Sequence, residues 1–226
     1  MNRLIILGFI LCLFSCKRSG HLPEGFVYLN DVAPDVKLEL RYFSSNNFVG
    51  DTIDGYLAAK CIISKPAADA LKKVQKSLKS QGLGIKVFDA YRPQRAVDHF
   101  VRWAEDLSDT LMKPIYYPNV DKSKLFEIGY IAAKSGHTRG STLDLTLVYL
   151  EGPQKGQELD MGTPWDHFDP AAWPSSDAVS DAQKQNRMIL RKVMMDNGFK
   201  PLREEWWHFT LQEEPYPDTY FDFVVE

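Results

Sequence analysis

An aspartate inside an apolar, strand-like segment is the feature that most constrains this chain. Asp144 lies in the run LDLTLVYL, where it is the one charged side chain. A carboxylate buried in a sheet is costly unless it is paired or binds a metal. His137 precedes it by seven positions, so one regular strand would point the two side chains to opposite faces. Gly140 lies between them and permits a turn or bulge, after which both can meet at one cation. The alternative is a strand-edge aspartate bonded to backbone amides, beside a loop histidine.

A second motif, EEWWHF at residues 204–209, offers a third ligand and a spare carboxylate. Two imidazoles, one carboxylate and an open position form a common catalytic zinc set, and a glutamate that is not a ligand can act as general base. Glu205 and His208 are three positions apart, so we predict a bend or bulge at Trp206. The alternative is that Trp206 and Trp207 are core aromatics with charged flanks.

A third motif, FDAYRP, follows a predicted strand and precedes a predicted helix. Arg92 would lie at the end of the strand, where it could reach a developing oxyanion. Arginine suits that task because its charge is permanent and its donors form a rigid fork. The alternative is a surface arginine that pairs with Asp89.

The order of predicted elements indicates an α+β fold with a mainly antiparallel sheet and flanking helices, because strands and helices alternate without a steady βαβ rhythm. Helices are predicted from Ser64 to Gly82, from Pro93 to Ala104 and over residues 181–197. Strands are predicted over residues 26–30, 36–42, 85–88, 141–149 and 206–211, and a long loop over residues 151–174.

The length of 226 residues suits one domain, predicted over residues 26–226. The net charge of −3, without a basic stripe or an acidic tail, gives no reason to expect nucleic acid or an anionic membrane surface as a partner.

The first sixteen residues have the pattern of an export signal. Arg3 precedes the apolar run at residues 4–14, which is too short for a membrane-spanning helix of about 20 residues. The following Ser15 and Cys16 resemble the lipobox of bacterial lipoproteins, which implies acylation at Cys16, with residues 17–25 as a linker. An ordinary signal peptide cut near Ser15, or a short buried segment, are the alternatives. With Cys16 modified, Cys61 is left to be a small core residue.

Taken together, the motifs are similar to the D-Ala-D-Ala dipeptidases of the M15 zinc peptidases. FDAYRP, SGHTRGSTLDLTL and EWWHF occur in that order, and YYPNVDKS, MGTPWDHF, the helix QNRMILRKVMMDNGF and the segment EEPYPDTYFDF extend the resemblance over roughly residues 25–226. The resemblance implies the fold of hedgehog-type and DD-peptidase domains.

The same resemblance implies a role for each matching residue. It implies one Zn²⁺ per chain held by His137, Asp144 and His208, with Glu205 as catalytic acid/base and Arg92 as transition-state stabiliser. Ser135 and Asp166 match positions that face the amino end of the substrate. Asp169 is close to Asp166 in the same loop.

The implied activity is zinc-dependent hydrolysis of D-Ala-D-Ala in cell-wall peptide turnover. An M15-type carboxypeptidase or endopeptidase acting on longer peptidoglycan peptides, a non-catalytic zinc-binding module and a peptide-binding lipoprotein are the alternatives. The presence of both Glu205 and Arg92 disfavours the non-catalytic module. The N-terminal pattern implies an exported protein of the cell envelope or periplasm, in contact with a membrane through a lipid anchor alone.

Overall fold

The computed structural model describes residues 22–226 and is built around one five-stranded sheet. The predicted signal segment, Cys16 and most of the predicted linker lie outside the described residues. In chain order, the elements are β1 (Phe26–Tyr28), α1 (Leu29–Val32), β2 (Lys37–Leu38), β3 (Ile62–Ser64), α2 (Lys65–Lys79), β4 (Leu83–Asp89), α3 (Gln94–Glu105), α4 (Lys113–Tyr116), β5 (Thr142–Tyr149), α5 (Asp181–Asp196), β6 (Phe199–Pro201) and β7 (His208–Leu211).

The sheet has the strand order β2-β4-β5-β7-β6. β2 pairs parallel with β4, and the other three neighbouring pairs are antiparallel. β1 and β3 form a separate antiparallel pair. This arrangement confirms the predicted α+β class with a mainly antiparallel sheet.

The strand register brings three polar residues side by side. Asp144 on β5 is the cross-strand partner of His208 on β7 and of Asp89 on β4. The pairing of β4 with β5 shifts between Val87 and Asp89, so the strand contains a bulge there. In an unbroken register Phe88 would lie opposite Asp144, because Val87 lies opposite Leu145. The bulge therefore turns Asp89 toward the face of the sheet that carries Asp144.

Two amphipathic helices cover the other face of the sheet. Leu143, Leu145 and Leu147 alternate with Asp144 along β5 and are fully buried. The apolar sides of α2 and α5 belong to the same buried core as these leucines; α2 contacts β4, α5 contacts β6, and the two helices contact each other. α5 begins with a capping box between Ser180 and Gln183. Among residues 22–226, the helices all fall short of the length and apolarity that crossing a membrane requires.

The structure confirms the three long predicted helices and the strands β4 and β5, and it corrects two other strands. The strand predicted over residues 36–42 is wrong beyond Leu38: a 3-10 turn over Arg41–Phe43 follows instead. Arg41 folds back to donate to Glu39 at 2.7 Å, and Tyr42 then enters the core. The last strand begins at His208 rather than Trp206, and its edge partner β6 was not predicted.

The predicted loop over residues 151–174 is present, and both this loop and the final segment pack on the domain. The segment over residues 151–174 contains a bridge between Val148 and Glu158 and a 3-10 turn over Pro170–Ala172. Aromatic side chains near the end of the chain surround Phe26, and Phe223 stacks on Tyr91 with ring centroids 4.0 Å apart. Cys61 is buried and unpaired among the described residues, as predicted.

Candidate active site

Three predicted ligands form a nearly equilateral triangle of donor atoms. His137 Nε2 lies 3.3 Å from Asp144 Oδ1 and 3.3 Å from His208 Nδ1. His208 Nδ1 lies 3.2 Å from the same Asp144 oxygen. His137 and Asp144 are buried, and His208 is partly buried. The structure therefore brings together the three residues that the sequence placed at one cation.

The triangle has the size that a zinc ion requires. With zinc–nitrogen and zinc–oxygen bonds of about 2.0–2.1 Å, two ligands of a tetrahedral site lie about 3.3 Å apart. Asp144 Oδ1 is a buried oxygen without a hydrogen-bond partner, although two ring nitrogens lie this close. A buried carboxylate oxygen left in this state is costly, and a cation would satisfy it. The donor set and its spacing fit the metal that the resemblance implies.

The backbone around His137 fixes the orientation of its ring. Residues Gly136–Arg139 form a 3-10 turn that Ser135 caps by accepting a hydrogen bond from the His137 N–H. Gly140 ends the turn with φ +83°, a conformation that favours glycine. His137 Nδ1 lies 2.8 Å from the Ala90 carbonyl, so it carries the proton and donates it. This tautomer leaves the Nε2 lone pair directed at the triangle.

Glu205 lies beside the triangle on a bend. A turn at Trp206 and Trp207 precedes β7, and it brings Glu205 Oε2 to 3.3 Å from His208 Nδ1. Trp206 Nε1 donates to Thr163, so the long loop supports this bend. The predicted bend is therefore confirmed. Both tryptophans are also buried core residues, as the alternative interpretation had them, and that packing builds the bend.

Arg92 is held in place by a buried carboxylate. Its Nε donates to Asp89 at 3.0 Å, and its Nη2 lies 3.6 Å from Asp144. The guanidinium lies over the ring of Tyr42, 5.1 Å from the centroid. The Tyr56 hydroxyl donates to the other oxygen of Asp89 at 2.7 Å. The pairing with Asp89 that the alternative foresaw is present, but it is buried at the site rather than on the surface.

Asp89 and Tyr42 are site residues that the sequence analysis did not predict. Asp89 was considered only as a surface partner for Arg92, yet it is buried and also lies 3.4 Å from His137 Nδ1. An available signal was the position of an aspartate at the end of an apolar strand, three residues before Arg92.

Asp166, rather than its neighbour Asp169, lines the cavity. Asp166 is buried, adopts φ +59° and accepts a hydrogen bond from Tyr42 at 2.7 Å. The preceding Trp165 donates from Nε1 to Asp144 Oδ2 at 3.2 Å. Asp169 instead caps a turn by accepting from the Ala171 N–H.

In the metal-free protein, the buried ionisable groups of the site shift one another's pKa values. Burial opposes ionisation of Asp144, but His137 and His208 outweigh it and hold the pKa of Asp144 well below its ordinary value. Burial also disfavours a charged His208, yet Asp144 and Glu205 raise the pKa of His208 to about 9. Burial, with Asp144 nearby, raises the pKa of Asp166 well above its ordinary value.

These residues surround a small cavity of about 240 Å³. Ser135, Arg92, Glu205 and the triangle line one part of it. Aromatic and aliphatic side chains line the rest, including Phe48, Phe100, Tyr130, Phe168 and Leu202. The long loop contributes Asp166 and Phe168, so it forms part of the wall.

Comparisons with known proteins found one matching family and several similar proteins. A family described as D-ala-D-ala dipeptidase, peptidase M15, matches residues 23–226. The D-alanyl-D-alanine dipeptidase of Enterococcus faecalis is 41% identical over 204 residues, covering 90% of this chain and 100% of that protein. The D-alanyl-D-alanine dipeptidase of Streptomyces coelicolor is 40% identical over 200 residues, covering 88% of this chain and 98% of that protein. The solved LdcB LD-carboxypeptidase has a TM-score of 0.46 at 15% identity, covering 87% of this chain and 72% of that chain.

Proposed function

The chain belongs to the D-Ala-D-Ala dipeptidase family of the M15 peptidases, and on that basis we propose that it hydrolyses D-Ala-D-Ala with one zinc ion, in cell-wall peptide turnover. The observation that carries the proposal is the triangle of His137, Asp144 and His208 with Glu205 beside it. A non-catalytic zinc module would need the triangle but not Glu205.

His137, Asp144 and His208 are the residues proposed to hold the metal. Two nitrogens and one oxygen, with a position left for water, suit zinc better than the harder cations magnesium or calcium. When bound, zinc would lower the pKa of a water molecule toward about 7 and polarise the scissile carbonyl.

Glu205 is proposed to move the proton. Its carboxylate lies at the edge of the triangle and lines the cavity, so it can accept the proton of the attacking water. The same carboxyl group can then donate that proton to the amine of the departing D-alanine. Its position on the bend at Trp206 keeps it close to the ligands without occupying a ligand position.

Arg92 is proposed to stabilise the oxyanion of the tetrahedral intermediate. Its Nε is bound to Asp89, which fixes the plane of the guanidinium and leaves other donors for the substrate oxygen. Asp89 itself is held by Tyr56, so the fork is rigid before substrate arrives.

The remaining polar groups suit the amino end of a dipeptide. Asp166, oriented by Tyr42, is proposed to bind the free ammonium, and Ser135 to assist from the His137 turn. Phe168 from the same loop helps to close the cavity, which favours a short substrate over a long peptide.

The cellular location is proposed from the sequence. The apolar run at residues 4–14 and Cys16 support export and acylation. An exported enzyme would meet D-Ala-D-Ala during wall turnover or salvage, and would have no direct access to cytoplasmic precursors. Fractionation that recovers the unprocessed chain from the cytoplasm would refute this part of the proposal.

The test is D-alanine release from D-Ala-D-Ala by the protein as isolated, after chelation, and after zinc is restored. Glu205→Gln is the matched variant, because it keeps the side-chain shape but removes the base. We expect activity that chelation abolishes and zinc restores, and a fall of about 10²–10⁴-fold in the variant. We also expect the variant to retain stoichiometric zinc.

Zinc binding without dipeptide hydrolysis would contradict the proposal. Activity on longer peptidoglycan peptides would then assign the site to the carboxypeptidase or endopeptidase class. Inactivity on those peptides as well would assign it to the non-catalytic module.

A further inference from the structure

The outer face of α2 is strongly basic, which corrects the expectation from the sequence that the chain has no basic stripe. The helix buries its aliphatic side and exposes a set of charged residues, of which one is acidic: Lys65, Asp69, Lys72, Lys73, Lys76 and Lys79. This concentration of lysine stands out in a chain whose net charge is −3.

Ion pairs neutralise only part of this face. Lys72 pairs with Asp69 at 2.6 Å, and Lys79 pairs with Asp35. Among the ion pairs of residues 22–226, none involves Lys65, Lys73 or Lys76. These three lysines therefore give the face a net positive charge that is free to act on an external partner.

The neighbouring helix adds exposed apolar side chains that face the same way. α5 contacts α2 and packs beside it on the same side of the sheet, so both helices expose the side that points away from the sheet. On α5 that side includes Met188, exposed by 50%, and Met195, exposed by 47%. Lys192 lies between them and pairs with Asp196.

We propose that this face, made of the exposed sides of α2 and α5, rests on an anionic lipid bilayer. Lysines attract the negative surface of a bilayer, and apolar side chains beside them can enter the headgroup layer. A soluble polyanion would use the lysines but would gain nothing from Met188 and Met195, so the combination favours a lipid surface. The proposal does not depend on the proposed hydrolysis.

The placement of the face fits the entry of the chain into the domain. The Lys65 N–H, at the first residue of α2, donates to the Gly25 carbonyl at 2.8 Å. The segment that precedes the domain in sequence, which contains Cys16, therefore joins the domain at one end of the basic helix. Asp144 lies on the opposite face of the sheet, so a domain resting on α2 and α5 directs its cavity away from the bilayer.

The test measures partitioning of the full chain into vesicles of phosphatidylcholine with and without phosphatidylglycerol. Comparing the ratio of the two partition coefficients between variants cancels the contribution of residues 1–21, including Arg3, Lys17 and Arg18, because every variant shares them. We expect the ratio to fall about fivefold per lysine, so about 25-fold in a Lys73→Gln, Lys76→Gln variant. A Lys113→Gln, Lys124→Gln variant has the same net charge but changes lysines outside this face, and should keep the wild-type ratio.

A second pair of substitutions distinguishes lipid from other anions. Met188→Gln with Met195→Gln should weaken binding to both kinds of vesicle and leave binding to soluble polyphosphate unchanged. An equal loss in the two lysine variants would show a net-charge effect and overturn the proposal. An unaltered ratio of partition coefficients in the Lys73→Gln, Lys76→Gln variant would also overturn it. So would vesicle binding that the methionine substitutions leave unchanged. Unchanged melting temperatures would establish that the variants are folded.

Discussion

At the scale of the residue, Asp166 has two features that destabilise the fold and that a packing role would not explain. It is a non-glycine residue with φ +59°, and its carboxyl group is buried next to another carboxylate. Such costs are characteristic of sites where an arriving ligand supplies the missing partner. The ammonium of a dipeptide is a partner of the right charge.

Asp166→Asn should therefore stabilise the metal-free protein while weakening substrate binding. The pKa of Asp166 is raised in the folded state, so the folded protein holds this proton more tightly than the unfolded chain does. The free energy of unfolding therefore falls as pH rises from about 4, the unfolded pKa, toward the folded pKa. Asparagine tolerates the same φ and cannot ionise, so the variant should lose less stability between pH 4 and pH 8. Each kcal/mol recovered should raise the melting temperature by about 2–4 °C.

The measurements are thermal unfolding in chelator across that pH range, and KM for D-Ala-D-Ala with zinc. Asp169→Asn is the control, since Asp169 lies outside the cavity lining and caps a turn instead. A variant with lower stability than the wild type at pH 8 and an unchanged KM would contradict this account of Asp166.

The separate motifs made His137, Asp144 and His208 candidates, and the resemblance to the M15 peptidases implied that they form one ligand set. Asp144 is a charge in an apolar strand. The spacing of His137 and Asp144 required a turn, the spacing of Glu205 and His208 required a bend, and both exist. Asp89 was missed because its burial depends on a bulge in β4, and the register between strands is not visible in one strand's sequence. Tyr42 was missed because the predicted strand around it does not form.

At the scale of the element, the turn that carries His137 depends on Gly140. A Cβ at this position would lie 2.3 Å from Cε1 of Phe26, and φ is +83°. Gly140→Ala should lower the free energy of unfolding by about 1–3 kcal/mol or more, because strain and overlap add. Zinc affinity should fall as well, because the turn positions His137 against Asp144.

Gly152→Ala is the matched control for that prediction. Its φ is +74°, but a Cβ there meets nothing within 4 Å. In Gly152→Ala, urea unfolding should show only the loss of stability caused by the backbone conformation. Competition with a chromophoric chelator should show an unchanged zinc affinity. Equal losses in both variants would show that the contact with Phe26 has no part in the effect.

Arg187 on α5 holds the two ends of the loop segment that carries Trp165 and Asp166. Its Nε donates to the Met161 carbonyl and its Nη1 to the Trp173 carbonyl, each at 2.7 Å. The side chain is buried, and among the described residues no carboxylate lies within ion-pair distance of it. Burial lowers the pKa of Arg187 to about 10. A cation in this position is costly, and its hydrogen bonds to the loop offset that cost.

Arg187→Met should loosen the segment by removing these donors. Leaving buried carbonyls unpaired costs about 1–3 kcal/mol, so the free energy of unfolding should fall by that order. KM for D-Ala-D-Ala should rise because Asp166 is displaced, and kcat should also fall because Thr163 in the same segment supports the bend that carries Glu205. Lys192→Met, on the exposed side of the same helix, should change neither quantity beyond the small effect of a surface ion pair. A loss of kcat at constant KM would argue against the positioning role.

Elements were predicted best where their pattern was long. α2, α3 and α5 were found because their apolar positions repeat at helical spacing over at least three turns. β2 and β6 were misjudged because they contain two and three residues, and their pairing is set by neighbours distant in sequence. The predicted alternation over residues 36–42 reflects ion pairs of Glu39 and Arg41 rather than a strand.

At the scale of the whole molecule, the metal should stabilise a fold that already exists without it. β4, β5 and β7 are joined by backbone pairing and buried aliphatic side chains independently of the triangle. Chelation should therefore lower the melting temperature without unfolding the protein at 25 °C. At a free zinc concentration 100 times Kd, the stabilisation is about 2.7 kcal/mol, or about 5–10 °C.

The measurement is differential scanning calorimetry with zinc and with chelator. Glu205→Gln should keep the zinc-dependent shift, and His208→Ala should lose it, because only the second removes a proposed ligand. A chelated protein without a cooperative transition would show that zinc is required for folding.

The spacing of the triangle along the chain also sets an order of events. His137 and Asp144 are seven residues apart, but His208 follows Asp144 by 64 residues, from 208 minus 144. Binding of one metal ion by all three residues requires that the chain between Asp144 and His208 first be closed into a loop. The pairing of β5 with β7 closes that loop. Metal acquisition is thus a late step, and it takes place in whichever compartment the polypeptide folds. An exported chain that crosses the membrane unfolded would draw its zinc from outside the cytoplasm, so its activity would follow the supply of zinc there.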